Sequence, residues 1–337
     1  VVMDKAIFLA TNGRPGPVWI DIPIDIQSAL IDPVSLPRFD GNIKKLALDK
    51  NVTENTRHEI LNRKNQIDEK DLKSILFHLK SAKRPVLFVG SGVRISGMHN
   101  KLLTLVYLLK IPVVSGWNAH DSITNDNPYY AGRPGTVGDR AGNFTVQNAD
   151  FLLILGSRLN IRQISYNWKA FAPKAWKVMV DVDQSEMDKP TLRIDHKINA
   201  DLNDFLPKFL KYLSNYRSSL PAHKNYLDWC HEKVVKYPVV LENYYKSKNA
   251  INPYAFIHEF FKLLHKDDVV ITGNGSACVV TFQAAILKEG QRLFTNSGSA
   301  SMGYDLPAAI GASIAINKKR VICIAGDGSL MMNLQEL

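Results

Sequence analysis

The stretch from Arg320 to Leu337, RVICIAGDGSLMMNLQEL, decides how the rest of the chain is interpreted. Its apolar, β-branched run from Val321 to Ala325 predicts a buried strand of a parallel sheet. The tetrapeptide Gly326-Asp327-Gly328-Ser329 then turns the chain, and the residues after it have the composition of a helix start. Because ligands of open α/β sheets bind outside the carboxyl ends of the strands, this turn is a predicted ligand site.

The chemistry of the turn suits a phosphate and a metal ion. Flanking glycines allow backbone N–H groups to approach a phosphate closely, and a following helix presents its positive end there. A lone carboxylate at Asp327 suits Mg²⁺, which usually takes one or two carboxylates together with phosphate oxygens and water. An Asp-Gly tight turn without any ligand is the common alternative for such a tripeptide, so the turn alone does not determine function.

Two further segments narrow the choice between a ligand site and a turn without a ligand. Residues Thr295 to Ala315 read TNSGSASMGYDLPAAIGASIA, and residues Gly13 to Gln27 read GRPGPVWIDIPIDIQ. Together with AGDGSLMMNLQEL they resemble the thiamine-diphosphate (ThDP) enzymes of the acetolactate synthase type, in the right order and over nearly the whole chain. The resemblance implies an α/β fold of doubly wound parallel-sheet domains, incomplete at both ends.

Length and composition bound the class of protein. A chain of 337 residues predicts two or three domains, and 45% hydrophobic with 22% charged residues is typical of a soluble globular protein. No apolar run reaches membrane-spanning length, no charged leader is visible, and the three cysteines lack metal-type spacing, so we expect a reduced cytoplasmic compartment and no membrane partner. The net charge of +10 is interpreted as solvated lysine rather than a nucleic-acid surface, because no basic stripe interleaves with aromatics.

The order of predicted elements gives the domain organisation. Strands alternate with helices from residue 68 onward, which predicts parallel pairing. With the domain identities that the resemblance implies, the predicted parts are a C-terminal tail of a pyrimidine-binding domain (1–31), a linker with one short helix (32–67), a central Rossmann-like domain (68–213), a second linker (214–250) and a diphosphate-binding domain (251–337), which is truncated. Predicted strands cover 18–22, 85–89, 111–114, 151–155, 176–182, 269–272 and 293–295, besides the strand of the opening stretch.

The resemblance assigns cofactor roles in the third domain. Asp327 is implied as the first Mg²⁺ ligand, and the Asn pair that completes that signature is expected beyond Leu337. Other residues implied to contact the cofactor are Gly326, Gly328, Ser329, Asn274, Gly275, Ser276, Ala300 and Met302. Ser329 is implied to offer its hydroxyl, Ala300 its carbonyl to the 4′-amino group, and Met302 its side chain as a prop between the cofactor's two rings.

Two departures from the family pattern accompany these assignments. Gly275-Ser276-Ala277 stands where acetolactate synthases generally carry Gly-Gln-His, which leaves the diphosphate contacts and the strict acetolactate synthase assignment open. Asp305 stands where the family usually has glycine, and the sequence offers no physical account of it.

The central domain carries glycine-rich turns after its predicted strands. By resemblance, Gly90, Ser91, Gly92, Arg158 and Asp201 line the pocket where acetolactate synthases hold FAD. Relatives also retain this domain without flavin, so both interpretations stay open. Arg162 matches a family arginine near the substrate carboxylate, although a surface arginine is the competing interpretation. His120 is interpreted as a structural histidine.

The resemblance implies a ThDP- and Mg²⁺-dependent enzyme that decarboxylates a 2-keto acid and passes the acyl unit to a second carbonyl acceptor, in a homo-oligomer. The family glutamate that activates the cofactor is expected upstream of Val1, so no catalytic residue is assigned within this chain, and the chain alone is expected to be inactive. A simple 2-keto acid decarboxylase or C–C lyase is an alternative on the same scaffold. A non-catalytic nucleotide-binding subunit, such as a split gene product, is the alternative of another class.

Overall fold

The computed structural model describes residues 1–12, 14–42, 67–246 and 248–337, and the chain divides into two compact units, Val1–Gln66 and Ile67–Leu337. The first unit contains helices α1 (Val2–Thr11) and α2 (Ile24–Gln27). The helix expected near Asp4 to Ala10 is therefore confirmed. The Phe39 N–H donates to Asp4 Oδ2 at 3.2 Å, and the Phe8 and Phe39 rings meet edge to face at 5.3 Å between centroids.

The strand predicted at Val18 to Ile22 is wrong. These residues pair with no strand in the described part of the first unit, and Trp19 is 92% exposed. An alternating apolar pattern cannot form a strand without a neighbouring ladder to satisfy its backbone groups. The predicted linker with its short helix covers residues 32–67, and residues 43–66 of it lie outside the described residues.

The second unit is built around a five-stranded parallel sheet of order β2-β1-β3-β4-β5. Its strands are β1 (Pro85–Val89), β2 (Val113–Ser115), β3 (Phe151–Leu155), β4 (Trp176–Asp181) and β5 (His196–Asn199). Every residue of β1 and β3 is buried, as expected for central strands covered on both faces. β5 was missed by the sequence pattern because HKIN is a short, mostly polar run.

Helices cover both faces of this sheet, which makes it doubly wound and confirms the predicted fold class. Successive residues of β1 alternate between two cores: Leu87 and Val89 belong to one, and Val86 and Phe88 to the other. The helices of this part are α3 (Glu69–Ser81), α4 (Gly92–Ile95), α5 (His99–Leu109), α6 (Arg140–Asn148), α7 (Ile161–Ile164), α8 (Gln184–Asp188), α9 (Leu202–Ser214) and α10 (Lys224–Lys236). None of the helices in the described ranges is long and apolar enough to cross a bilayer.

The segment predicted as a second linker contains helix α10. It places Tyr226 and Cys230 in the core beneath the central sheet, where the Tyr226 hydroxyl donates to the Thr145 carbonyl at 2.6 Å. Its basic and aromatic composition hid the apolar face, because only one side of the helix is buried. The domain boundaries drawn from the sequence inside this unit stay predictions.

A second parallel sheet has the order β7-β6-β8. Its strands are β6 (Val269–Thr272), β7 (Arg292–Phe294) and β8 (Val321–Ile324), and its helices are α11 (Pro253–Leu263), α12 (Gly275–Ala284), α13 (Asp305–Ala315) and α14 (Asp327–Met331). β8 was expected to be buried, but its four residues are only half-buried. The reason is its edge position, since it pairs with β6 alone among the described strands.

The two sheets are joined by a polar contact centred on the 3₁₀ helix Trp117–Ser122. The buried Asp121 carboxylate accepts from Arg94 Nε at 3.0 Å and from Arg292 Nε at 2.5 Å. The buried His120 ring lies between the carbonyls of Trp117 and Phe282, and burial holds its pKa well below the usual value. His120 thus lies in a packed junction between the parts of this unit.

Candidate functional site

Three loops meet at the carboxyl edge of the smaller sheet, because its three strands are parallel. One loop follows β6 at Gly273, a second follows β7 at Thr295, and a third follows β8 at Ala325. The Thr295 hydroxyl donates to the Gly273 carbonyl at 3.1 Å, and the Gly273 N–H approaches the Ile324 carbonyl at 3.4 Å. The predicted third-domain site residues are therefore brought to one edge of one sheet.

Asp327 lies exposed at this edge, as the first residue of α14. A Cβ added to Gly326 would meet nothing within 4 Å, so the space above the turn is open. A Cβ added to Gly328 would lie 3.0 Å from Met302 Cε. Met302 therefore reaches over the turn that presents Asp327, and its own side chain remains 44% exposed.

The start of α12 supplies backbone donors beside the turn. Gly275 has φ +58°, a left-handed conformation that favours glycine, and a Cβ there would meet nothing within 4 Å. Ser276 is exposed one residue later. Since the first N–H groups of a helix have no acceptor within it, this ten-residue helix presents donors to open space.

The loop before Met302 has a strained backbone. Ala300 has φ +52°, which a non-glycine residue rarely adopts, and its N–H donates to the Asn296 carbonyl at 2.9 Å. The Asn296 amide donates to the Ser301 hydroxyl at 2.6 Å. Strain of this kind persists only where neighbouring contacts impose it, and it is commonly found at ligand sites.

Ser329 is placed differently from its predicted role as a hydroxyl donor to a diphosphate. Its side chain is buried, its hydroxyl donates to Asp305 Oδ2 at 2.6 Å, and its oxygen accepts the Gly303 N–H at 2.9 Å. The hydroxyl proton is thus committed inside the protein. The sequence pattern marked Asp305 only as a departure from the family, and the structure shows that it contacts these loops.

The open edge fits a diphosphate with its metal ion. Asp327 is the exposed carboxylate of the Gly326–Gly328 turn, and in the described residues no three His, Cys, Asp or Glu side chains come together in a metal-binding group. Such a lone ligand suits Mg²⁺, which retains water and takes phosphate oxygens as its other ligands. The open space at Gly275 and Gly326 would admit the phosphates themselves.

The glycine-rich turns of the central sheet meet each other. A Cβ on Gly90 would lie 2.1 Å from the Gly156 carbonyl oxygen, and a Cβ on Gly92 would lie 2.8 Å from Gly156 Cα. The adjacent Ser91 begins α4. These glycines are therefore required for backbone packing whether or not a nucleotide binds.

The other predicted contact residues of the central domain, two for a nucleotide and one for the substrate, have protein partners. Arg158 Nη1 lies 3.2 Å from Glu186 Oε1, and the Asp201 side chain caps α9 by accepting the Asn203 N–H at 3.0 Å. Arg162 lies on α7, and its carbonyl accepts the Thr136 N–H at 2.7 Å. The side-chain roles predicted for these three residues stay predictions.

Gln163, beside Arg162, is a residue that the sequence pattern missed. Its side chain is buried, and its Oε1 has no hydrogen-bond partner among the described residues. This atom lies 3.1 Å from where a Cβ on Gly116 would sit, directly after β2. A buried acceptor without a partner marks a place for a donor from water or a ligand.

Comparison with known proteins agrees with this geometry. Residues 72–209 match the family model described as thiamine pyrophosphate enzyme, central domain. Residues 273–337 match the model described as thiamine pyrophosphate enzyme, C-terminal TPP binding domain. The second match includes the whole carboxyl edge described above, and the first includes the central sheet.

Three relatives illustrate the similarity over the whole chain. The chain is 30% identical over 337 residues to acetolactate synthase isozyme 1 large subunit of Escherichia coli (strain K12), covering 100% of this chain and 54% of the relative. It is 31% identical to the isozyme 2 large subunit of the same organism, covering 100% and 55%. It is 33% identical to a probable acetolactate synthase 2, chloroplastic, of Oryza sativa subsp. japonica, covering 100% and 48%. The chain thus spans about half the length of the curated relatives it matches.

Proposed function

This chain belongs to the thiamine pyrophosphate enzymes of the acetolactate synthase type, and we propose that the intact protein is a ThDP- and Mg²⁺-dependent enzyme that decarboxylates a 2-keto acid and transfers the acyl unit to a second carbonyl compound. The observation that carries the proposal is the exposed Asp327 turn with open space above it, beside the donor-bearing start of α12. The proposed working form is a homo-oligomer in the cytoplasm.

Each residue of the edge has a proposed task. Asp327 coordinates Mg²⁺, while the N–H groups of Gly275 and Ser276 face the diphosphate. The Gly328 N–H, predicted from the sequence as a further contact, instead donates to Asp327 Oδ1 at 2.9 Å. The Ala300 carbonyl would accept a hydrogen bond from the cofactor's pyrimidine amino group, and Met302 would offer the cofactor an apolar, polarisable contact. ThDP, when bound, supplies the covalent chemistry at the keto carbon, and the protein orients it. Arg162 is proposed to pair with the substrate carboxylate.

Titration of the intact protein with ThDP, in the presence and absence of Mg²⁺, tests the cofactor site. We expect binding that requires Mg²⁺, and Asp327→Ala should weaken it by at least about 100-fold, because loss of a direct ligand exceeds the 10- to 100-fold effect of outer-shell partners. Asp126→Ala, an exposed aspartate of the central domain, is the matched control and should bind normally. Metal-independent binding, or full affinity in Asp327→Ala, would refute the proposal.

The products formed from pyruvate distinguish a carboligase from a simple decarboxylase on the same scaffold. A carboligase should yield a condensation product of two substrate units. Acetaldehyde as the sole product would favour the decarboxylase and exclude the transfer step.

A flavin at the central sheet is a second proposal, supported by Gln163 Oε1, which lies beside Gly116 and has no hydrogen-bond partner in the part of the chain that the structure describes. Bound flavin would be seen in the absorption spectrum of the purified intact protein and would be released on denaturation. Reconstitution with excess FAD that leaves no bound flavin after gel filtration would remove this proposal.

A further inference from the structure

Asp305 lies where the loops of the proposed cofactor site meet. It is the first residue of α13, and its side chain is fully buried with 0% exposure. One carboxylate oxygen, Oδ1, accepts the N–H of the next residue, Leu306, at 3.0 Å. The other, Oδ2, faces away from its own helix toward Ser329 and Gly273. A carboxylate that only stabilised its helix would have no need of those two contacts.

The first of these contacts is a directional chain of hydrogen bonds. The Gly303 N–H donates to Ser329 Oγ at 2.9 Å, and the Ser329 hydroxyl donates to Asp305 Oδ2 at 2.6 Å. A serine hydroxyl has one proton, so its donation to Asp305 leaves its lone pairs for the Gly303 N–H. The hydrogen-bond chain therefore needs an acceptor at Asp305 Oδ2.

The second contact fixes the loop after β6. A Cβ built on Gly273 would lie 2.0 Å from Asp305 Oδ2 and 2.9 Å from its Cγ. The backbone of Gly273 is thus packed against the carboxylate itself. Gly273 lies two residues before Gly275 and three before Ser276, whose N–H groups are proposed to face the diphosphate.

A third contact holds the carbonyl of Gly303. The Asn333 amide donates to the Gly303 carbonyl at 2.6 Å, so both backbone polar groups of Gly303 are held by the segment that follows β8. Gly303 is adjacent to Met302, and Ser329 lies two residues after Asp327. The distance between the proposed ring support and the proposed metal ligand therefore depends on this cluster.

We propose that Asp305 is a positioning residue of the cofactor site, which holds the Ala300–Gly303 loop, the Gly326–Ser329 turn and Gly273 in one fixed arrangement through Ser329. This rests on the proposed function for the identity of the cofactor. The clamp formed by Asp305, Ser329 and Gly273 does not depend on that identity, because its contacts lie within this chain. Its loss should weaken ThDP binding by about 10- to 100-fold, the usual effect of removing a partner that orients a ligand.

Two variants test the clamp. Asp305→Asn keeps the shape but replaces one oxygen with an NH₂ group, so either the Ser329 hydroxyl or the Leu306 N–H then faces another donor. Ser329→Ala removes the link, whereas Ser329→Thr keeps the hydroxyl and is the conservative counterpart. Asp183→Asn is the matched control, because Asp183 is the N-cap residue directly before α8 and asparagine caps equally well there.

The first readout is hydrogen exchange at the Gly303 amide in the cofactor-free intact protein, and the second is ThDP affinity with Mg²⁺. Asp305→Asn and Ser329→Ala should speed exchange by about 10-fold or more, as expected for a lost hydrogen bond, and should weaken ThDP binding. Asp183→Asn should stay close to wild type in both, and Ser329→Thr should lie closer to wild type than Ser329→Ala because it keeps the hydroxyl. If Asp305→Asn fails to fold, the comparison of Ser329→Ala with Ser329→Thr tests whether the clamp positions the cofactor site.

Exchange and affinity within twofold of wild type in Asp305→Asn, or in Ser329→Ala, would overturn the inference. Failure of the proposed function has a different signature. In that case the wild-type protein shows no Mg²⁺-dependent ThDP binding, while the exchange measurement still reports whether Asp305 and Ser329 hold the loop.

Discussion

The packing of Gly273 against Asp305 makes a quantitative prediction. In Gly273→Ala the new Cβ would stand 2.0 Å from Asp305 Oδ2, where ordinary contact begins near 3.4 Å. The carboxylate must therefore retreat by more than an ångström, although it is fully buried and bonded to Ser329 and Leu306. Overpacking typically costs about 1–3 kcal/mol, and leaving a buried polar group without its partner costs about 1–3 kcal/mol more. We expect a total loss of about 2–6 kcal/mol in the free energy of unfolding.

The same substitution should be tolerated once the carboxylate is removed. In Asp305→Gly the space occupied by Oδ2 is empty, so the methyl group that Gly273→Ala introduces can enter it. The cost of Gly273→Ala should then fall below about 1 kcal/mol, which gives a coupling energy of at least about 1 kcal/mol between the two positions. Any cost of Asp305→Gly itself cancels in the double-mutant cycle.

Urea unfolding followed by tryptophan fluorescence would measure these values, because Trp117, one of the five tryptophans, stacks on Phe282 in the core of the smaller sheet with 5.0 Å between ring centroids. Gly311→Ala is the control. It lies in the same helix as Asp305, a Cβ there meets nothing within 4 Å, and alanine should stabilise the helix slightly. An equal cost of Gly273→Ala in both backgrounds would refute the proposed contact.

Two further predictions concern the junction between the sheets. Asp121→Asn should destabilise the protein by about 3–5 kcal/mol in urea unfolding. The reason is that the Arg94 and Arg292 guanidinium groups then lose their shared buried counter-charge. A loss below about 1 kcal/mol would show that water replaces the carboxylate as their partner. Burial lowers the folded-state pKa of His120, and the pKa values of His99, His223 and His258 are lowered in the same direction. The unfolded chain then binds more protons below the ordinary histidine pKa of about 6.5, so stability should be full above that pH and fall as the pH drops, by up to about 1.4 kcal/mol per pH unit for each histidine. His120→Gln should flatten that slope when unfolding is measured across pH 4–7, and an unchanged slope would show that His120 does not titrate in this range.

The sequence predicted elements best where burial is complete. The runs 85–89, 151–155 and 269–272 were placed at their observed bounds, because a fully covered strand must be apolar at every position. It predicted less well where one face is open. The helix Lys224–Lys236 and the strand His196–Asn199 show too little apolar character locally, and the alternating run at 18–22 has no neighbouring strand to pair with among the described residues of its unit.

The candidate site also has features that follow from the local sequence and others that depend on distant contacts. The sequence by itself determined that Asp327 lies in a glycine turn after a strand and that Gly275 opens a helix, since turn chemistry and strand periodicity are local properties. Only the tertiary structure decided the role of Asp305, whose partners Ser329 and Gly273 lie far from it along the chain. The strand order β7-β6-β8 brings them together, and a buried carboxylate is tolerated only where such distant partners supply its hydrogen bonds.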